Sequence, residues 1–362
     1  MYGISVFLGQ DMTAETESYI RQMSTAGFKG IFTSLHIPEE DAALYSDRLK
    51  KLGEIAKAKK MTLMVDISGD ALDRAGFSFE RIDQLLEAGV TGLRMDYAIS
   101  NQQMAILSNQ LTVGLNASTL TMEDIRELRE ANANFKNFEA WHNYYPRPET
   151  GLDKKSFQRK NSWLKENGIR VYAFVPGNKE LRGPLREGLP TLEEHRHVNP
   201  LASSLSLENL LVDGIYIGDP QINQRTMNQF DFYLNQTLLV LETENHGSQY
   251  YSYVLGEHSN RLDDARDVIR SADARFKEIP EIKLEFTSER TAGSVTVDNI
   301  GYGRYMGEIQ ITKRDLPRNE KINVVSKIVN EDRALIQAIK GGARFKLVEK
   351  GFLNHESGKS NN

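Results

Sequence analysis

The sequence predicts an α/β protein, a (β/α)8 TIM barrel followed by a small, mostly β domain, and three observations carry that expectation. Through about residue 236, short β-branched and aromatic runs alternate with amphipathic segments of helical period. Repeated strand, helix, strand units imply right-handed crossovers and a parallel sheet. There are eight such runs, the number that closes a barrel. From about residue 244 the chain turns to strand-like segments with few long helical intervals.

The runs, in order, are "GISVFLG" (3–9), "GIFTSLH" (30–36), "TLMVDIS" (62–68), "GLRMDY" (92–97), "TVGLNAS" (112–118), "NFEAWHNYY" (137–145), "RVYAFVPG" (170–177) and "GIYIGDP" (214–220). Between them, stretches such as "AETESYIRQMSTAGF" and "TMEDIRELREANANF" repeat apolar residues at helical spacing and end in glycine or asparagine, as helix C-caps do. An open doubly wound sheet is the competing architecture. It normally places G-x-G-x-x-G after its first strand, and "FLGQDMTAET" lacks that pattern. The expected domains are residues 1–236 and 244–355. In the second, "YYSYVLGEH", "EIKLEFTSER", "GSVTVDNIGYGRYMGEIQIT", "INVVSKIV" and "ARFKLVEK" read as strands.

Composition limits the function classes. A chain of 362 residues with 26% charged residues and a net charge of -5 gives no bulk electrostatic attraction to nucleic acid or to an anionic membrane. Any anionic ligand must be held locally. The absence of cysteine removes disulfides, thiolate catalysis and Cys-ligated zinc, and fits a reducing compartment. "MYGISVFLGQ" has no basic n-region, and no stretch approaches the roughly 18 apolar residues of a membrane span, so a cytoplasmic protein is expected.

Polar residues cluster at the strand ends, where a barrel carries its chemistry: Ser34, His36, Asp66, Ser68, Asp96, Asn116, Ser118, Glu139, His142, Asn178 and Asp219. Each alone is equally suited to capping the next helix or turn. Asp66 and Asp96 end consecutive strands, neighbours about 4.8 Å apart, and two carboxyls that close can hold different protonation states. Arg94 shares a strand face with Asp96, so it can instead make the pair a structural ion cluster. "NFEAWHNYYPRPETGLD" (137–153) adds a third carboxylate, Glu139, with His142, Tyr145 and Arg147. Its aromatics suit either a sugar platform or a packing cluster. Alternation places Glu139, Trp141 and Asn143 on one face and His142 on the other, so both sets point inward only with a bulge.

The loop "FVPGNKELRGPLREGLPTLEEHR" (174–196) offers Lys179, Arg182 and Arg186 where barrels often bind phosphate. No lysine lies within the eight runs, which argues against Schiff-base chemistry. "HRH" (195–197) is off the strands, and His36, His142 and the aspartates show no metal-ligand motif. No cofactor is called for.

"LHIPEED", "LRMDY", "LNAST", "WHNYYPRPETGL", "VPGN" with "RGPL", "EGLPTLEEHR", "IYIGDP" and "DNIGYGRYMGEIQI" together resemble the MupG family of 6-phospho-N-acetylmuramidases, over nearly the whole chain. The resemblance implies a TIM barrel with a C-terminal cyclophilin-like β domain and a cytoplasmic location. It also implies cleavage of N-acetylmuramic acid 6-phosphate from N-acetylglucosamine during peptidoglycan recycling. That substrate, a phosphorylated amino sugar disaccharide, carries a phosphate and a lactyl carboxylate, which gives Arg147, Arg182 and Arg186 a ligand. The strand-end argument supplies the residue roles: a reacting pair among Asp66, Asp96 and Glu139. Substrate contacts are expected from His36, Asn116, His142, Tyr145, Arg147, Asn178, Arg182 and Asp219. Two other readings stay open, a non-catalytic sugar-phosphate sensor and a phosphosugar epimerase or isomerase. Arg304 and Tyr305 in the tail fit either a pocket or hairpin packing.

Overall fold

The computed structural model describes residues 1–9, 11–35, 45–67, 72, 75–96, 99–276 and 278–355, with the side chains of 275 and 276 excluded. His36 and Ser68 lie outside the described residues. Eight parallel strands close in sequence order: β1 (Tyr2–Ser5), β2 (Gly30–Ser34), β3 (Thr62–Ile67), β4 (Gly92–Met95), β5 (Thr112–Asn116), β6 (Phe138–Trp141), β7 (Arg170–Val175) and β8 (Gly214–Ile217). Each predicted run holds one of them. The strands are shorter than the runs because tilted neighbours stop pairing near the barrel rim. Residues just past that point, such as Asp96 and Asn143, form the mouth.

The helices between the strands are α1 (Ala14–Thr25), α2 (Tyr45–Ala58), α3 (Ile82–Glu87), α4 (Asn101–Leu107), α5 (Met122–Glu130), α6 (Lys154–Glu166) and α7 (Pro200–Glu208). Their starts are local chemistry. Thr121 Oγ1 accepts from Asp124 N at 3.2 Å while Asp124 Oδ2 accepts from Thr121 N at 2.8 Å, a capping box of the kind that contributes about 1 kcal/mol. Gly168, with φ 77°, takes the left-handed turn that releases the chain from α6 into β7.

Aromatic side chains fill the barrel interior. Trp141 stacks on Tyr172 with centroids 4.6 Å apart and on Phe32 at 5.5 Å, and Phe174, Tyr216 and Met64 complete the cluster. The opposite wall must give way to rings this large. A Cβ on Gly3 would overlap the Tyr216 ring, so glycine is required there by close approach. Trp141 is fully buried and fills the core, as a packing cluster rather than a sugar platform.

Contacts divide the chain into two compact units, Met1–Asn223 and Gln224–Asn362. The second opens with helix α8 (Gln224–Gln236), which the sequence places at the end of the barrel domain. Buried bonds tie α8 to its own unit: Arg225 pairs with Glu242 at 3.0 Å and Asp332 at 2.6 Å, and Gln229 Nε2 donates to Asp332 at 2.8 Å. The unit's strands are β9 (Leu238–Asn245), β10 (Gly256–Ser259), β11 (Val268–Arg270), β12 (Ser294–Asp298), β13 (Ile309–Thr312), β14 (Ile322–Ile328) and β15 (Arg344–Glu349). They form one sheet in the order β10-β15-β9-β14-β12-β13-β11, antiparallel except for the parallel pair β9 and β15.

Two strand expectations fail here. "YYSYVLGEH" holds a short helix, α9 (Tyr251–Val254), ahead of β10. "EIKLEFTSER" carries no strand. Phe286 has φ 45°, which breaks the extended run, and Asn323 holds the segment by accepting from Glu285 N at 3.1 Å and donating to Lys283 O at 2.7 Å. Arg304 and Tyr305 lie on the turn between β12 and β13 and bond to each other, Nη2 to OH, at 2.8 Å.

Candidate active site

Backbone register decides which strand-end groups meet. Asp66 on β3 is level with Arg94 on β4, and with Ser34 on β2. Asp96 sits two residues farther along its strand, so the expectation that the two aspartates end level is corrected: the stagger of a closed barrel offsets them. Arg94 joins them. Its Nη1 lies 2.5 Å from Asp66 Oδ1 and 3.7 Å from Asp96 Oδ1, and its Nη2 donates to Asn143 Oδ1. Ser34 Oγ donates to Asp66 Oδ2 at 3.1 Å, and Asn116 Nδ2 donates to Asp96 Oδ1 at 3.2 Å.

The two carboxyls have unequal surroundings. Asp66 exposes 13% of its side chain and Asp96 31%. Burial pushes the Asp66 carboxyl above its usual range, against the Arg94 guanidinium and the Ser34 hydroxyl, which pull it down.

A cation stands beside this group. Arg182 Nη1 donates to Tyr144 OH at 2.7 Å, and its guanidinium lies 4.2 Å from the centre of the Phe7 ring. Tyr144 packs edge-on to Phe174 at 5.1 Å and sits close enough to Asp66 and Arg94 to feel both charges. The guanidinium therefore has a fixed plane, with N–H groups that bond no other side chain among the described residues and can meet an anion. Tyr144 lies in the motif "WHNYYPRPETGL" but was not among the expected contacts, and Phe7 is marked by no motif. Only the fold brings residues this far apart together.

Other predicted residues are placed elsewhere. Glu139 is level with Arg170, the first residue of β7, and pairs with its guanidinium at 3.1 Å. It also accepts from Trp141 Nε1 at 3.0 Å. That is the N-terminal end of the barrel, opposite the mouth, so Glu139 holds the core together rather than joining the aspartates. His142 faces outward, as alternation requires: its Nε2 bonds Asn161 Oδ1 on α6 at 2.7 Å, and its ring packs on Phe157 at 4.4 Å. Its expected substrate contact is corrected on that geometry.

Asp219, the carboxylate that ends the eighth run, is buried and accepts from three backbone N–H groups: Gly177 at 2.8 Å, Leu189 at 2.9 Å and Arg182 at 3.0 Å. It staples the loop after β7 instead of meeting solvent. Arg196, absent from the expected substrate contacts, does similar work. Buried, it donates to the carbonyls of Arg147 and Gly188 and pairs with Glu193. Glu193 also accepts from Glu149 N and Gly151 N, and the Arg196 guanidinium foremost, together with these two bonds, holds its pKa down at about 2. Tyr145 is half-buried with its N–H on Pro190 O, Arg147 and Asn178 are exposed, and Asn178 accepts from Asn223 N at 2.9 Å. Among the described residues no group of His, Asp and Glu is arranged to hold a metal.

The buried His142 makes stability depend on pH. Desolvation lowers its pKa to about 4, below the model-peptide value near 6.5. The unfolded chain therefore takes the proton first, and stability falls as pH drops from about 6.5 through about 4. Between pH 7 and 5 the wild type is expected to lose on the order of 2 kcal/mol more than His142→Gln does. Urea unfolding of both at the two pH values measures this.

A (β/α)8 barrel with two carboxyls, an arginine between them and a second cation at its C-terminal mouth has the makings of a sugar-processing hydrolase. The N-terminal family described as 6-phospho-N-acetylmuramidase matches residues 2–231, and its C-terminal counterpart matches residues 237–348. The chain belongs to the 6-phospho-N-acetylmuramidase family and is a glycosidase. It is similar to a conserved protein of unknown function from Enterococcus faecalis, 52% identical over 98% of both chains with a TM-score of 0.93. It is also similar to an uncharacterized B. cereus protein, 25% identical over 96% of this chain and 99% of that one, TM-score 0.75. No curated protein matches it. No helix among the described residues is long and apolar enough to cross a membrane.

Proposed function

We propose that the barrel mouth hydrolyses the bond between N-acetylmuramic acid 6-phosphate and N-acetylglucosamine, in cytoplasmic recycling of cell-wall sugar, with Asp66 and Asp96 as the reacting carboxyls. The observation that carries this reading is the convergence of the two on one guanidinium nitrogen of Arg94, in unequal surroundings. Acid and base roles separate when environment separates the two groups. One carboxyl protonates the glycosidic oxygen as the bond breaks, and the other attacks the anomeric carbon or deprotonates the attacking water. Arg94 fixes Asp66 and carries positive charge into a site that must hold two carboxyls together. Arg182, planar and held by Tyr144 and Phe7, is the phosphate ligand this reading requires.

The test is to incubate the protein with the disaccharide, with and without its 6-phosphate, and follow products by mass spectrometry. Cleavage confined to the phosphorylated compound is the expected result. Binding of that compound with no cleavage overturns the hydrolase in favour of a sensor. Turnover of a monosaccharide phosphate with solvent deuterium entering at carbon overturns it in favour of an isomerase.

A further inference from the structure

We infer that a side pocket beside Asp96 is the subsite for the uncharged, departing half of the substrate, an inference that rests on the hydrolase reading above. The pocket encloses about 230 Å3 between the ends of β4 and β5 and helices α4 and α5. Its polar wall is Asp96, Asn101, Asn116, Thr119 and Asp124, and Ile99, Met104 and Leu115 give it apolar surface. Hydroxyls and an acetamido group meet acceptors and amides there, while the apolar side chains take a ring face or a methyl group.

Charge decides which half of the substrate belongs here. Among the described residues the lining holds two carboxylates and no lysine or arginine. Lys160 donates to Leu120 O at 2.6 Å and helps hold Asp124 ionised, but it does not line the pocket. A phosphate or a lactyl carboxylate would meet like charge here, whereas Arg182 stands over the ring of Phe7, which follows β1, and β1 is separated from β4 and β5 in the order of the closed barrel. The muramic acid half carries both anions and the other sugar carries none. The substrate is thus oriented along one axis, anions toward Arg182 and neutral ring beside Asp96.

The remaining observations agree. Asn101 Nδ2 donates to Asp124 Oδ1 at 2.9 Å, and Asn116 Oδ1 accepts from Ser118 N at 3.0 Å, so much of the polar wall is held in place in advance. Asp96 belongs both to this wall and to the Arg94 cluster, which brings the glycosidic oxygen of a seated sugar to the reacting carboxyls. The volume is below the roughly 300 Å3 at which pockets for drug-sized ligands begin, so it holds one ring and not two.

The test uses the full chain with Thr119→Trp, which fills the pocket from an exposed rim position, and Met104→Trp, which fills it from α4. Two substrates are compared: the phosphorylated disaccharide, and 6-phospho-N-acetylmuramyl fluoride, whose leaving group needs no sugar subsite. For at least one folded variant, kcat/KM is expected to fall about tenfold further for the disaccharide than for the fluoride. Equal losses on the two substrates, or no loss on either, overturn the subsite while leaving the hydrolase intact. A wild type that cleaves neither overturns the hydrolase and the subsite with it. Saturation transfer to free N-acetylglucosamine reads the pocket without turnover: a signal in the wild type that vanishes in Thr119→Trp supports the subsite, and equal signals overturn it.

Discussion

Asp66→Asn and Asp96→Asn are each expected to lower kcat on the phosphorylated disaccharide by about 100-fold to 10,000-fold, while Glu139→Gln leaves kcat within about threefold, since it removes no acid, base or nucleophile from the mouth. An amide keeps the shape of the carboxyl and loses its ability to take or give a proton, so the first two variants remove chemistry without opening a cavity. Glu139 is the control that the fold supplies. Its carboxylate is buried and pairs with Arg170, whose side chain is 46% exposed, at the N-terminal end of the barrel. Removing that charge should cost stability rather than rate, about 1–3 kcal/mol after allowance for the solvent around Arg170. Steady-state kinetics paired with thermal unfolding of the three variants reads both effects. A Glu139→Gln enzyme as slow as the aspartate variants would move the chemistry to the other end of the barrel and end the present assignment.

Arg182→Ala is expected to cost about 10- to 100-fold in kcat/KM on the phosphorylated disaccharide, the weight of one or two charge-assisted hydrogen bonds. Arg182→Lys should fall between, because it keeps the charge but loses the planar fork that Phe7 and Tyr144 hold. The backbone N–H of Arg182 still reaches Asp219 in either variant, so the loop stays anchored and the loss reports on the side chain. Arg186→Ala, at an exposed position on the same loop, is the comparison. If both arginine variants bind and cleave like the wild type, phosphate recognition lies with other groups.

How much of the site was legible depended on the range of the interaction involved. The place of Asp66, Asp96 and Asn116 at the mouth was legible because a parallel barrel gathers its strand ends there, whatever the register. His142 was misplaced among substrate contacts even though two-residue alternation already set it opposite Trp141. The crowding of polar and aromatic side chains in "WHNYYPRPET" outweighed that simpler rule. Asp219 is expected to touch substrate, but three N–H groups from the preceding loop converge on it and make it an anchor for that loop. Arg196 and Glu193 stand in the family motif "EGLPTLEEHR", but their pairing was not legible there, since a buried ion pair that clamps two loops depends on where those loops pass each other.

The sequence by itself determined the eight strands and their order, the capped helices between them and the change to a β-rich second unit. These follow from periodicity, caps and turn chemistry acting over a few residues. It also carried the motifs of the 6-phospho-N-acetylmuramidase family. Only the tertiary structure decided that Asp66 is level with Arg94, that Glu139 belongs to the opposite end, that Tyr144 and Phe7 hold Arg182, and that a pocket lined by Asp96 and Asp124 opens beside the Arg94 cluster. The physical reason is the stagger of a closed barrel. Strand tilt shifts each neighbour along the axis, so which side chains meet is fixed by the closure of all eight strands together and not by any one of them.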